Sequence, residues 1–187
     1  MKKIRKTVFC FVLLLLTAVI LNFASQFIIH MLYPLKYEDS IRYYAEKNNL
    51  DPYFVMAVIK AESNFDPSAS SGVAGGLMQI TDDTAKWIAD KIGFELDESD
   101  IENPEINIKM GCYYLNYLSS LYSDRDVILA CYNAGMGNVS KWLKDSRYSD
   151  DGKTLDSIPF EETKTYIEKV NKYESIYYKL YNDKKKG

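Results

Sequence analysis

The sequence predicts an all-α chain: one long apolar helix at the N-terminus, then one compact helical domain. Three observations predict it. After Tyr37, apolar residues recur at three- and four-residue spacing through most of the chain. Those segments begin and end at helix-capping residues. Alternation of period two, the mark of a half-buried strand, is nowhere sustained. At 187 residues the chain is long enough for one domain and an appendage.

The first element is the appendage. Lys2, Lys3, Arg5 and Lys6 precede a run from Val8 to Leu21 that is apolar except for Thr17. After Asn22 the apolar character resumes through Phe27, Ile28, Ile29, Met31 and Leu32. A helix of about 20 residues crosses a bilayer, and this stretch exceeds that. The basic residues come first, which places the N-terminus in the cytoplasm and the rest of the chain outside. A cleaved signal peptide is the rival reading. Asn22-Phe23-Ala24 is a poor cleavage site, the apolar run exceeds a usual signal core, and Cys10 lacks the small-residue lead-in of a lipoprotein signal. The expectation is an uncleaved, single-pass anchor over residues 1–35 and an extracytoplasmic domain over residues 36–187.

Within the domain, Glu38 to Asn48 reads as a short helix. Asp51 before Pro52 starts the next, with a side-chain acceptor at the N-cap and a fixed φ in the first turn; it runs to Glu62. Thr81 or Asp82 caps a helix holding Ala85, Trp87, Ile88 and Ile92 and stopped by Gly93. Asn103-Pro104 opens a longer helix with Ile108, Leu115, Leu118 and Leu121. Asp124 or Asp126 opens a short one, Val127 to Tyr132, ended by Gly135, and another carries Val139, Trp142 and Leu143. The last runs from about Pro159 to Tyr181, with Phe160, Thr163, Ile167, Val170, Tyr173, Tyr177 and Leu180 on one broad face. Residues 144–157, charged and containing Gly and Ser, form the most loop-like interior stretch.

Composition removes several classes of function. Four of the 23 basic residues and none of the 26 acidic ones fall in residues 1–34, so the remainder carries 19 positive side chains against 26 negative, a net of −7. An acidic domain is poorly suited to nucleic-acid phosphates. The single histidine, His30, lies in or beside the apolar segment, which removes Ser-His-Asp triads, Cys-His pairs and His-based zinc sites. Cys112 and Cys131 have no CxxC spacing; small buried thiols are the expected state, with a disulfide between them left open. The 16 tyrosines suit both a helical core and a carbohydrate groove.

Glu62 is the candidate for chemistry. It follows Val55, Val58 and Ile59 on the apolar stripe of its helix, and a half-desolvated carboxyl has a raised pKa and keeps its proton. That is the state of a general acid. The ordinary fate of a glutamate at a helix end is the surface, so the assignment needs further support.

Support comes from four signatures in order: Glu62-Ser63, Gly76-Leu77-Met78-Gln79, Tyr132-Asn133-Ala134-Gly135 and Glu162-Thr163-Lys164-Thr165-Tyr166. Each alone is weak; a Gly-Leu-Met-Gln run is a turn into a helix, and Tyr-Asn-Ala-Gly is a helix end. In this order and spacing, with Asn103-Pro104, Asn107-Ile108, Gly111 and Ile158-Pro159-Phe160, they resemble the soluble lytic transglycosylase family. The resemblance runs from about Asp51 to Tyr173. It implies a lysozyme-like helical domain, of the goose type, acting on peptidoglycan. Glu62 would be the single catalytic acid and base, with Ser63, Met78 and Gln79 lining the saccharide groove. Tyr132 would stand near Glu62 with Asn133 holding the loop, Glu162 would bond the sugar beside the cut, and Tyr166 would support that wall. Leu77, Phe65 and Trp87 are expected in the core. The sequence departs from the family at Cys131 for alanine, Asp82 for proline and Lys164 for arginine, none of them at Glu62.

Most glycosidases need two carboxylates. Here Asp66, before Pro67, reads as an Asx turn, and Asp82 and Asp83 as helix-start residues. One acid suffices where the substrate supplies its own nucleophile, as the resemblance implies: the muramic C6 hydroxyl attacks C1 and a 1,6-anhydro end forms, with no metal or organic cofactor. The alternatives are a hydrolytic muramidase on the same fold and a non-cleaving peptidoglycan-binding scaffold of an envelope complex. The expected partners are peptidoglycan glycan strands, the bacterial cytoplasmic membrane through the anchor, and proteins of an envelope or secretion complex. With few residues between Leu32 and the first helix of the domain, its reach into the wall would be short.

Overall fold

A computed structural model describes residues 2–182. It divides into two compact units, residues 1–35 and 36–187. The first contains one helix, α1 (Lys2–Leu32). From Ile4 to Leu32 it has a mean hydropathy of 2.5 and no buried share, so it is long and apolar enough to cross a membrane. Two of its polar side chains turn back on the helix: Thr17 Oγ1 donates to the Leu14 carbonyl at 2.9 Å and Ser25 Oγ to the Asn22 carbonyl at 2.7 Å. Such back-bonding satisfies a hydroxyl within the helix itself.

The second unit is built from α2 (Glu38–Lys47), α3 (Pro52–Glu62), α4 (Asp82–Ile92), α5 (Pro104–Leu121), α6 (Arg125–Ala134), α7 (Met136–Trp142) and α8 (Glu161–Tyr181). Capping residues set the boundaries. Asp51 Oδ1 accepts from the Tyr53 and Phe54 amides at 2.7 and 3.3 Å. Asn103 Oδ1 accepts from Glu105 and Ile106, Thr81 Oγ1 from Thr84, and Asp124 Oδ1 from Val127. Each meets amide groups that the first helical turn leaves unpaired. Gly135, at φ +83°, ends α6 and starts α7 in one step.

α3 is the centre of the unit. It packs on α2 and α8, and Tyr53 through Ile59 are all buried. The sequence suggested an amphipathic stripe; the helix is instead enclosed all round, as happens when neighbours cover every face. α8 buries Thr163, Tyr166, Ile167, Val170, Tyr177 and Tyr181. Its start is Glu161, and Phe160, expected on the inner face, precedes it with 47% of its surface exposed. Tyr173 and Leu180 are only half-buried.

Two short features lie outside the sequence-based expectation. Ala74–Gly75 (β1) pairs antiparallel with Ile80–Thr81 (β2), and a single 3-10 turn spans Glu98–Ile101. Strands of two residues are too short to show alternation. Residues 144–157 are the expected loop, held by side chains: Asp151 Oδ1 accepts from the Lys153 and Thr154 amides, and Asp156 Oδ2 from Asp150. Cys112 and Cys131 are buried free thiols.

Candidate active site

Glu62 is the last residue of α3, where the negative end of the helix dipole gives an anion no help. The residue as a whole is half-buried, and its carboxyl is largely removed from water. Burial pushes its pKa from 4.5 up to about 7. Two neighbours act in opposite directions. Tyr166 favours the carboxylate and draws the value down; the negative charge of Glu162 pushes it up. The Tyr166 hydroxyl is buried beside Glu62 without a hydrogen bond of good geometry, so it is a donor held ready for the ionised form. Burial raises the pKa of Tyr132 and Tyr166 well above the usual range, and both rings stay neutral beside the acid.

Directly after this helix the backbone turns in two strained steps. Asn64 and Phe65 both have left-handed φ, 52° and 64°, a region costly for a bulky side chain. Phe65 is held there by burial, with 2% of its surface exposed. Ser63 Oγ donates to the Leu77 carbonyl at 2.8 Å and ties the helix end to the Gly76-Leu77-Met78-Gln79 turn.

That turn is organised by Asn107, a fully buried side chain on α5. Its Oδ1 accepts from the Met78 amide at 2.7 Å. Its Nδ2 donates to the Gly75 and Ile101 carbonyls at 3.0 and 2.8 Å. Gly76 is required beneath it: at φ +76°, a Cβ there would lie 2.3 Å from both Asn107 Nδ2 and the Ile101 oxygen.

A cavity of about 440 Å³ opens at Glu62, lined also by Ala61, Asn133, Glu161, Glu162, Thr165, Tyr166 and Lys169. Beside it, sharing Asn133, is a hollow of about 300 Å³ lined by Gln79, Ile80, Thr81, Thr84, Tyr114, Tyr132 and Ala134-Gly135. The fold thus brings Glu62, Asn133, Glu162 and Tyr166 into one cavity and Gln79 and Tyr132 into the next. Tyr132 Oη donates to the Met78 carbonyl at 2.8 Å. Asn133 Oδ1 accepts from Thr163 Oγ1 at 2.7 Å, which leaves its amide N–H groups for the cavity. Gln79 is the converse: Nε2 donates to the Ala69 and Gly76 carbonyls, both at 2.9 Å, and its oxygen remains.

Two expected groove residues are placed differently. The Met78 side chain is fully buried and packs into the space over Gly111, where a Cβ would come within 2.2 Å of its sulfur. Ser63 lines neither cavity, its hydroxyl being used on the Leu77 and Ile59 carbonyls. Leu77 and Phe65 are core residues as expected, but Trp87 is half-buried. Sequence reasoning missed Lys169, Thr165 and Glu161 in the Glu62 cavity and Tyr114 in the adjoining one. Thr165 and Lys169 follow Glu162 at helical spacing, a signal that was present in the pattern. Tyr114 on α5 carried no such signal. Asp66 is turned aside: its Oδ1 accepts from Ser68 N and Oγ at 2.9 and 2.8 Å, which lowers its pKa.

Comparison with known proteins bears on the fold and the family. Residues 39–155 match the family described as "Transglycosylase SLT domain". The chain is 33% identical over 157 residues to the soluble lytic murein transglycosylase of Escherichia coli, covering 81% of this chain and 24% of that protein. It is 30% identical over 172 residues to membrane-bound lytic murein transglycosylase C of Serratia proteamaculans, covering 76% of this chain and 46% of that one. The X-ray structure of an inactive Glu-to-Gln mutant of lytic transglycosylase Slt from Pseudomonas aeruginosa superposes with a TM-score of 0.74 at 33% identity, over 82% of this chain and 26% of that chain. The chain therefore spans about a quarter of the soluble relatives it matches. A family match over most of the domain, and a helical fold shared with a solved relative, lead to one conclusion: this chain belongs to the transglycosylase SLT domain family.

Proposed function

We propose that the chain is a peptidoglycan lytic transglycosylase with Glu62 as its one catalytic acid and base. The observation that carries this is the raised pKa of Glu62 in an open cavity, which keeps much of the acid protonated near neutrality. Protonated Glu62 donates to the glycosidic oxygen between N-acetylmuramic acid and N-acetylglucosamine. The C1–O bond breaks, the glucosamine leaves with a 4-hydroxyl, and the muramic N-acetyl oxygen stabilises the cationic C1. Tyr166 then supports the new carboxylate. Glu62 takes the proton of the muramic C6 hydroxyl, whose oxygen bonds to C1, and the acid is regenerated. The product is a 1,6-anhydromuramic end, and no water is consumed.

The neighbouring polar groups suit such a substrate. Asn133 has donors to offer and Gln79 an acceptor, and an N-acetyl group carries one of each. Glu162, exposed on α8 in the same cavity, is positioned for sugar hydroxyls beside the cut. The relatives named as soluble or membrane-bound lytic murein transglycosylases support the substrate class.

The second reading is hydrolysis, favoured by the presence of Glu162 as a second carboxylate in the cavity. Mass analysis of unreduced muropeptides released by the protein separates the two. Anhydro ends, one water lighter, are expected; full-mass reducing ends would overturn the transglycosylase reading. We further propose that α1 is a single-pass anchor with the domain on the outer face of the bacterial membrane, near envelope or secretion-complex proteins. Proteolysis of intact spheroplasts should remove the domain; protection of the domain in intact spheroplasts would count against this.

A further inference from the structure

We infer that Trp87, with Tyr117, Tyr114 and Met136, forms an outlying saccharide subsite that takes a pyranose ring of the same strand held at Glu62. This rests on the glycan-cleaving reading above.

The inward face of α4 is made by Ala85, Ile88 and Ala89, all buried. Trp87 lies on its flank, half-exposed, although a tryptophan on a packed helix gains most by full burial. It is braced from one side. Its ring meets Tyr117 at 4.7 Å and 59°, Tyr113 at 6.2 Å and 54°, and Tyr114 at 6.3 Å and 75°. A ring fixed in this way is a rigid apolar surface whose ordering needs no further entropy loss on binding.

The hollow at this surface has a volume of about 230 Å³ and is lined by Asp83, Thr84, Trp87, Tyr114, Tyr117 and Met136. Thr84 and Tyr114 also line the hollow at Tyr132, which in turn shares Asn133 with the Glu62 cavity. The three hollows are thus neighbours in series, each sharing lining residues with the next. Tyr114 joins the outer hollow to the middle one, its ring lying 5.5 Å from that of Tyr132. The chemistry matches a sugar ring: aromatic faces for the C–H face of a β-linked pyranose, and the Asp83 carboxylate and Thr84 hydroxyl for its equatorial hydroxyls. An apolar peptide would leave Asp83 desolvated and unpaired.

The test uses the full chain in detergent. Trp87 and Trp142 are its two tryptophans, so Glu62→Gln combined with Trp142→Phe leaves Trp87 as sole reporter. The probe is glycan strands freed of their peptides and sorted by length. Long strands should shift Trp87 emission to shorter wavelength and shield it from acrylamide; the shortest fragments that bind should do neither. In otherwise unaltered protein, Trp87→Ala should lower kcat/KM on long strands about tenfold more than on the shortest cleaved fragment. Saturable binding of long strands with unchanged Trp87 emission and quenching would overturn the subsite and leave the proposed function standing. Absence of both strand binding and cleavage would overturn the two together.

Discussion

Tyr132 Oη donates to the Met78 carbonyl at 2.8 Å, joining two signatures that lie 54 residues apart in sequence. The bond places the Tyr132 ring between the Glu62 neighbourhood and the turn that carries Gln79. Removing only the hydroxyl isolates its contribution. Tyr132→Phe should cost about 1–2 kcal/mol of stability, because the Met78 carbonyl loses its partner. Turnover of peptidoglycan should drop by about tenfold. Urea melts and muropeptide release rates check both, and a variant unchanged in rate would remove Tyr132 from the machinery.

Glu62→Gln should lower activity by at least about a thousandfold, the scale of general acid–base catalysis. In the parent protein, activity should decline as pH rises through about 7, since the acid form starts the reaction. A variant retaining most of its rate would refute the assignment.

The same substitution should stabilise the fold above neutrality. Below pH about 4.5 the Glu62 carboxyl is protonated folded and unfolded, and its burial adds no pH dependence. Between 4.5 and about 7 the folded form keeps the proton and the unfolded form does not, so stability falls as pH rises. Above about 7 the penalty levels at up to about 3 kcal/mol, given 1.36 kcal/mol per pH unit. Glu62→Gln escapes it, so its advantage over the parent in denaturant melts should appear at pH 8 and vanish at pH 4. Equal differences at both pH values would show that Glu62 is not desolvated.

Tyr166→Phe removes a donor that favours the Glu62 carboxylate. The acid should then hold its proton to higher pH, and the alkaline limb of the activity profile should move upward. A merely structural role would lower activity without moving that limb. An unmoved or lowered limb would count against a Tyr166–Glu62 interaction.

Asn107→Leu keeps the branching and heavy-atom count of the side chain and removes three hydrogen bonds from a fully buried site. We expect a loss of about 3–5 kcal/mol, as a buried amide and two carbonyls lose their partners. Differential scanning calorimetry checks it. A loss under about 1 kcal/mol would mean that water enters and replaces the amide.

Local chemistry was readable in the sequence. Asp51-Pro52, Asn103-Pro104, Thr81 and Gly93 announced their helix ends, because a cap acts within a few residues of itself. The raised pKa of Glu62 was only partly readable: the desolvation comes from packing around an enclosed helix, which a stripe on one face does not describe. Placements set by distant segments were not readable. Met78 is buried because Gly111, 33 residues on, lacks the Cβ that would exclude it. Trp87 is half-exposed because three tyrosines of α5 brace it at the flank. The hairpin of β1 and β2 depends on the left-handed Gly76 and Gln79 rather than on any alternation.

The three hydrogen bonds of Asn107 have a consequence in time as well as in space. Asn107 is the fourth residue of α5, and its partners Gly75, Met78 and Ile101 all precede that helix. The first turn of α5 must exist before the turn at Gly76 has anything to close upon. Closing that loop fixes chain of high sequence separation for a few bonds, a step that transition states tend to defer. The helices can therefore assemble while the turn at Gly76 is still unset, and that turn, which carries Gln79, is expected to become native late.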